Sequence, residues 1–308
     1  MKIIEPYFEI QDDLDRSSLA VRLEACGRIC YKSEDLITED SAVPFVTKIA
    51  KHGHNSVLET AVVTLKLFCN DDLVADFFAC QPKYLVVDRT EDGLLVTGSI
   101  RSFRELYVNY PENRLIAGMV SLLAAKEPFL FEDVYDADAA VEGDPPLKIE
   151  KMSLAQVEEL SDDLLMRHRY VGVKFFVNRA VTHELVRHRP CSFLQESQRY
   201  CRYSQDKFDG QVTFIKPMFY KEGSKEYEVW KEAMELTEEK YLKLLETSSP
   251  QAARTVLPNS CKTEIIVYCN LVEWQHIFKL RTSQAAEPSM REIIVPLAEE
   301  FSRRYPMI

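Results

Sequence analysis

Between residues 187 and 200 the chain reads Arg-His-Arg-Pro-Cys-Ser-Phe-Leu-Gln-Glu-Ser-Gln-Arg-Tyr. Arg187, Arg189 and Arg199 are cations that do not deprotonate in a protein, and Ser192, Ser197 and Tyr200 can each donate and accept hydrogen bonds. Such groups suit phosphates and carbonyl-rich rings, and a hydrophobic core has no use for them. The surrounding charge points the same way. Residues 167–207 hold nine Lys and Arg against three acids, a net +6, in a chain of formal charge −11, so the remainder carries −17. A cationic pocket in an acidic body fits a small anionic ligand and argues against a protein coated in nucleic acid.

Other chemistries fail on spacing. With nine glycines, the chain has no Gly-x-Gly-x-x-Gly and no Gly-x-x-x-x-Gly-Lys-Ser/Thr, so any phosphate must be held largely by side chains rather than by bare backbone. His183-Glu184 followed by His188 resembles a zinc helix with the wrong interval. Ligands five residues apart on a helix point about 140° from one another, and no metal site is expected. Ser197 lacks a Gly-x-Ser-x-Gly elbow, which makes it a ligand contact rather than a hydrolase nucleophile. A second Arg-His-Arg at 167–169 has no Ser or Arg constellation behind it and reads as a solvated or structural patch. Farther on stand Arg254, Asn270, His276 and Arg281. If Asn270 opens a helix, Arg281 shares its face about 16 Å away, a span that accommodates two ligands.

These groups need a scaffold. The alternation in residues 2–10, 60–68, 171–177 and 263–269 predicts strands, and Asp92-Gly93 between two short apolar runs predicts a hairpin. Helices are expected over about 17–31, 39–51, 71–80, 99–124 with a break near Pro111, 227–246 and 292–303. Asn178 and Asn270 are candidate N-caps for helices over 179–188 and 270–280. Pro190 should stop the first of these, leaving residues 192–200 to begin as a loop. Residues 126–150 lose periodicity and read as a surface insertion. Helices and strands mix without a βαβ rhythm, which predicts an α+β fold.

Length and composition set the frame. A chain of 308 residues with 46% hydrophobic content can bury a substantial core as one large domain or two ordinary ones. The eight cysteines are scattered without a Cys-x-x-Cys pair and read as reduced thiols. With no apolar run of about 18 residues and no apolar leader after Met1, a cytoplasmic protein without membrane attachment is expected.

Arg187-His188-Arg189, seven residues and then Ser197 resemble the signature of the flavin-dependent thymidylate synthases. Gly53-His54-Asn55-Ser56-Val57-Leu58-Glu59 is similar to that family's upstream segment, and residues 253–258 and 270–281 resemble it in order and spacing. The resemblance implies one catalytic domain over residues 1–308, with a mixed or antiparallel sheet, long flanking helices and an acidic insertion around 126–165. It implies methylation of dUMP at C5 to give dTMP, with carbon from methylenetetrahydrofolate and reducing equivalents from NADPH through FAD. It also implies a homotetramer with ligands bound between subunits. Arg187, His188, Arg189, Gln195, Asn270 and His276 would hold FAD. Glu184, Arg187, Gln195, Glu196, Ser197, Gln198 and Arg199 would hold dUMP, with Arg254 on its phosphate. Arg281 against the uracil and Ser197 would be the catalytic residues. This chain has Leu194-Gln195 where many relatives have Asn-Glu, and Thr60 where a histidine is common. The competing readings are a related flavin enzyme that methylates UMP and a non-catalytic Arg-rich nucleotide- or nucleic-acid-binding protein.

Overall fold

A computed structural model describes residues 1–136 and 147–308. Their contacts gather into two compact units. One comprises Met1–Gln11, Gly27–Asp35 and Gly172–Ile308; the second comprises Asp12–Cys26 and Leu36–Val171. In chain order the strands among the described residues are β1 (Lys2–Ile4), β2 (Tyr7–Ile10), β3 (Val62–Phe68), β4 (Leu85–Thr90), β5 (Gly93–Ser99), β6 (Lys148–Lys151), β7 (Tyr170–Asn178), β8 (Ser192–Gln195), β9 (Thr213–Ile215) and β10 (Lys262–Asn270). Mixed helices and antiparallel pairings bear out the α+β expectation.

The first unit is built on a sheet of order β2-β7-β10-β8, with β1 and β9 forming a separate parallel pair. The single strand expected over residues 2–10 is in fact β1 and β2, which serve different sheets. Pro6 lies between them, and without an N–H it cannot extend a ladder. Residues 192–195 correct a second expectation. They form β8, paired antiparallel with β10 from Gln195↔Ile265 to Ser192↔Tyr268, where a loop was expected. The preceding helix stops at Leu185, short of the expected end at His188 and five residues before Pro190, so the proline does not end it; backbone partners on β10 then take up the chain.

Two strands of this sheet run straight into helices, and an asparagine makes each switch. Asn178 Oδ1 accepts from Val181 N at 2.9 Å to start Arg179–Leu185, and Asn270 Oδ1 accepts from Glu273 N at 3.0 Å to start Leu271–Arg281. Each satisfies an amide that the first helical turn leaves without an internal partner. Helix Leu271–Arg281 is held by its apolar face. Trp274 is fully buried, with its ring 5.7 Å from Phe278 and 5.1 Å from Phe301, which lies on helix Pro288–Arg304; Phe175 of β7 lies 6.4 Å away. A further cluster beneath helix Lys225–Leu245 joins Met234, Tyr241 and Leu245 to Tyr203, Phe214 and Cys261.

The second unit carries the sheet β4-β5-β3-β6. Its β4–β5 hairpin turns at Asp92-Gly93 as expected. Gly93 has φ +149, and a Cβ there would collide with the Leu67 carbonyl oxygen, so only glycine fits. The segment read as an acidic insertion supplies β6, antiparallel to β3, and the short helices Leu154–Glu158 and Asp162–His168; residues 137–146 lie outside the described ones. The Arg-His-Arg copy is structural and largely dry. His168 is buried between Asp88 Oδ2 at 2.9 Å and Thr97 Oγ1 at 2.7 Å, and Arg169 is buried against Asp15 at 2.9 Å. No described helix is long and apolar enough to cross a membrane.

Trp274→Ala should therefore cost about 3–5 kcal/mol, the range for deleting a large buried aromatic. Urea unfolding followed by circular dichroism measures it; a cost under about 1 kcal/mol would show that the helix bearing Arg281 is anchored elsewhere.

Candidate active site

The residues expected to carry chemistry fall into two groups joined by the β8–β10 pair. At one end, the helix C-terminus of Leu271–Arg281 brings Arg281 to Glu184 and His188. Arg281 Nη1 donates to Glu184 Oε2 at 2.5 Å and Nη2 to the Glu184 carbonyl at 3.3 Å, while Nε donates to His188 Nε2 at 3.1 Å. Three of the five guanidinium N–H groups are thus engaged, leaving two free among the described residues. A bond accepted at Nε2 places the neutral imidazole's own proton on Nδ1, which lies 3.6 Å from Glu273 Oε1. The His276 ring stands edge-on to His188, with 5.9 Å between centroids, and is exposed.

Burial depresses the basicity of His188, and the neighbouring Arg281 and His276 lower it further, to a pKa of about 4. Glu273 is shifted upward by burial. A neutral His188 therefore accepts from Arg281 across the physiological range. His188, Glu273 and His276 bring their ligand atoms within 4.8 Å of one another. The Arg281 guanidinium, bonded to His188 Nε2, lies beside this group and would repel a cation there.

At the opposite end of β8 lies the segment that follows it. The Ser197 amide donates to the Cys30 carbonyl at 3.0 Å, and the Ser197 hydroxyl accepts from Arg199 N at 3.4 Å. Arg199 is exposed, with its guanidinium 5.4 Å from the Tyr200 ring centre; Tyr200 in turn sits 5.1 Å from Tyr31. The side chains between point inward. Gln195 Nε2 donates to Thr182 and Thr263 hydroxyls, both at 3.1 Å. Glu196, only 2% exposed, accepts from Tyr203 Oη at 2.7 Å and Lys262 Nζ at 2.9 Å. Gln198 is buried and donates to Cys261 Sγ at 3.4 Å.

Arg187 and Arg189 are exposed and Arg254 half-buried, and none of the three has a carboxylate partner among the described residues. No hydrogen bond or ion pair ties Arg254 to either group. Asn270 caps its helix, in addition to any ligand role. Glu273, Lys262, Glu264 and Tyr203 escaped sequence reasoning. The alternation of Lys262 and Glu264 on one strand face was the available sign, but their partners come from distant residues.

A family model described as "Thymidylate synthase complementing protein" matches residues 155–307. A flavin-dependent thymidylate synthase from Pyrococcus abyssi is 37% identical over 128 residues, covering 41% of this chain and 52% of the relative. One from Corynebacterium aurimucosum is 31% identical over 166 residues, covering 50% of this chain and 67% of the relative. A solved structure of the UMP/dUMP methylase PolB from Streptomyces cacaoi, bound with 5-Br UMP, is 21% identical with a TM-score of 0.39, covering 46% of this chain and 73% of that one. The chain belongs to the flavin-dependent thymidylate synthase family. It spans about half the length of the first curated relatives it matches.

The depressed basicity of His188 has a definite sign for stability. Unfolded, the imidazole takes a proton near pH 6.5; folded, only near pH 4. Between those values folding excludes a proton, so this group's effect is to lower stability as pH falls from about 6.5 toward about 4 and to leave it unchanged above. A histidine Cε1–H titration by NMR should give His188 a midpoint near 4; a midpoint near 6.5 would remove the buried, Arg281-facing environment.

Proposed function

We propose that the chain catalyses the FAD-dependent reductive methylation of dUMP to dTMP, taking carbon from methylenetetrahydrofolate and reducing equivalents from NADPH. The observation that carries the reading is the pinned Arg281, held by Glu184 and His188 with two N–H groups unspent. Family membership supplies the reaction class. Uracil C5 is a weak nucleophile, and a permanent cation at the ring carbonyls or N3 raises electron density there without exchanging a proton itself. Preorganisation matters because a guanidinium that had to reorient would give back part of that stabilisation.

The donor set suits the cofactor. Arg187 and Arg189, exposed and free of carboxylates, match a diphosphate in fork geometry, and His276, Asn270 and Gln195 offer polar contacts. When bound, reduced flavin would supply a hydride to the uracil ring, in place of attack by a cysteine. Ser197 and Arg199 would receive the nucleotide, with Arg254 on its phosphate; Glu184 orients Arg281, and Glu196 and Gln198 hold the segment from beneath. By resemblance to the family, the site would be completed in a homotetramer with ligands bound between copies, in the cytoplasm.

Tritium release from C5-labelled dUMP in the presence of FAD, NADPH and methylenetetrahydrofolate tests the reaction, with UMP as the competing substrate. Flavin-loaded protein that releases no tritium from dUMP overturns the assignment. Arg281→Ala should lower kcat about 10²- to 10³-fold through loss of a preorganised donor. Arg199→Ala should raise the dUMP Kd about 10- to 100-fold while sparing flavin absorbance, as expected for one charge-assisted bond. Equal loss of flavin and nucleotide from Arg199→Ala would contradict its role.

A further inference from the structure

Three consecutive residues, Cys261 just before β10 and Lys262 and Thr263 that open it, each grip one residue of the nucleotide segment. Cys261 takes Gln198, Lys262 takes Glu196 and Thr263 takes Gln195. The backbone adds a fourth tie, Glu196 N to the Glu264 carbonyl at 2.8 Å. With these side chains turned inward, Ser197 is left half-buried and Arg199 exposed. Lys262 is the centre of this arrangement. Its ammonium bridges Glu196 Oε2 at 2.9 Å and Glu264 Oε1 at 2.6 Å, and Glu264 is shared with Lys174 at 2.7 Å and Lys32 at 2.9 Å. Lys32 also reaches Glu34 at 2.8 Å, so three lysines balance three glutamates.

We propose that Lys262 is a positioning residue for nucleotide binding: by holding the buried Glu196 carboxylate it sets the path of the backbone that presents Ser197 and Arg199. The inference rests on the nucleotide reading given above. The physical argument is one of charge. Glu196 and Glu264 are 2% and 3% exposed and cannot be solvated by water where they stand. Burial alone would raise the Glu264 carboxyl, yet Lys262, Lys174 and Lys32 together bring it down to about 2. Remove Lys262, and Glu196 keeps one neutral donor, the Tyr203 hydroxyl, while losing the cation that pairs with it among the described residues. An uncompensated buried carboxylate moves toward water, and the segment moves with it. A neutral pair of equal volume would fill the space equally well, so packing alone does not account for the choice of ions.

The test compares wild type with Lys262→Met, and with the milder Tyr203→Phe, which deletes only the 2.7 Å bond to Glu196. In flavin-loaded protein, Lys262→Met should raise the dUMP Kd and KM about tenfold or more while kcat at saturating dUMP stays within about threefold. Flavin content and visible spectrum should not change. Tyr203→Phe should raise Kd about threefold to fivefold, and it decides the matter if Lys262→Met does not fold. Hydrogen exchange without nucleotide gives an independent readout: amides of residues 196–201 should exchange faster in both variants, while those of helix Leu271–Arg281 should not. Unchanged exchange over 196–201 in a folded variant overturns the positioning role, as does simultaneous loss of flavin and nucleotide. Faster exchange in a protein whose wild type ignores dUMP would instead overturn the nucleotide reading and leave the clamp standing.

Discussion

The antiparallel pairing of β8 with β10 is the constraint on which the candidate site depends. Four residue pairs, from Gln195↔Ile265 to Ser192↔Tyr268, fix the register. Because side chains alternate in strands, a one-residue slip would send Gln195 away from Thr263 and displace the segment that follows. The same strand, at its far end, delivers Asn270 and the helix whose last residue is Arg281. One ladder therefore sets both groups of candidate residues, at its opposite ends.

Each end uses charge differently. At the Arg281 end the cation is kept by a half-buried carboxylate and by an imidazole that stays neutral because burial and nearby positive charge oppose its protonation. Neutrality is the useful state there, since a protonated His188 would have no lone pair for Arg281. At the Ser197 end the charges are balanced around two buried carboxylates, Glu196 and Glu264, and their value is geometric. A set of six ions with short contacts tolerates few backbone paths, whereas the exposed guanidinium of Arg199 remains available to a ligand. Cys201 and Cys261, pushed up to about 12 by burial, sit in this region as thiols rather than nucleophiles.

The second unit reuses one of the same residue patterns for a different end. Arg167-His168-Arg169 repeats the Arg-His-Arg of 187–189, yet His168 and Arg169 are buried in bonds to Asp88, Thr97 and Asp15. Arg187 and Arg189 lie exposed. Three basic residues in a row thus carry no function of their own; exposure and the absence of a carboxylate partner among the described residues set Arg187 and Arg189 apart from Arg169.

Local chemistry alone settled much. Asn178 and Asn270 announce helix starts because a short side-chain acceptor meets free amides within three residues. Asp92-Gly93 announces its hairpin because the backbone there excludes a Cβ. The Arg187–Ser197 spacing marked the family, since fixed cations and hydroxyls at set intervals are rarely needed for folding. Tertiary structure decided what depends on partners remote in sequence. Residues 2–10 became two strands in two ladders, and residues 192–195 became a strand, because β7, β9 and β10 offered backbone partners that no local window contains. Glu196 was legible as a polar residue in a binding motif, but its inward direction was not. That direction follows from Lys262, 66 positions away, whose ammonium makes a buried carboxylate stable.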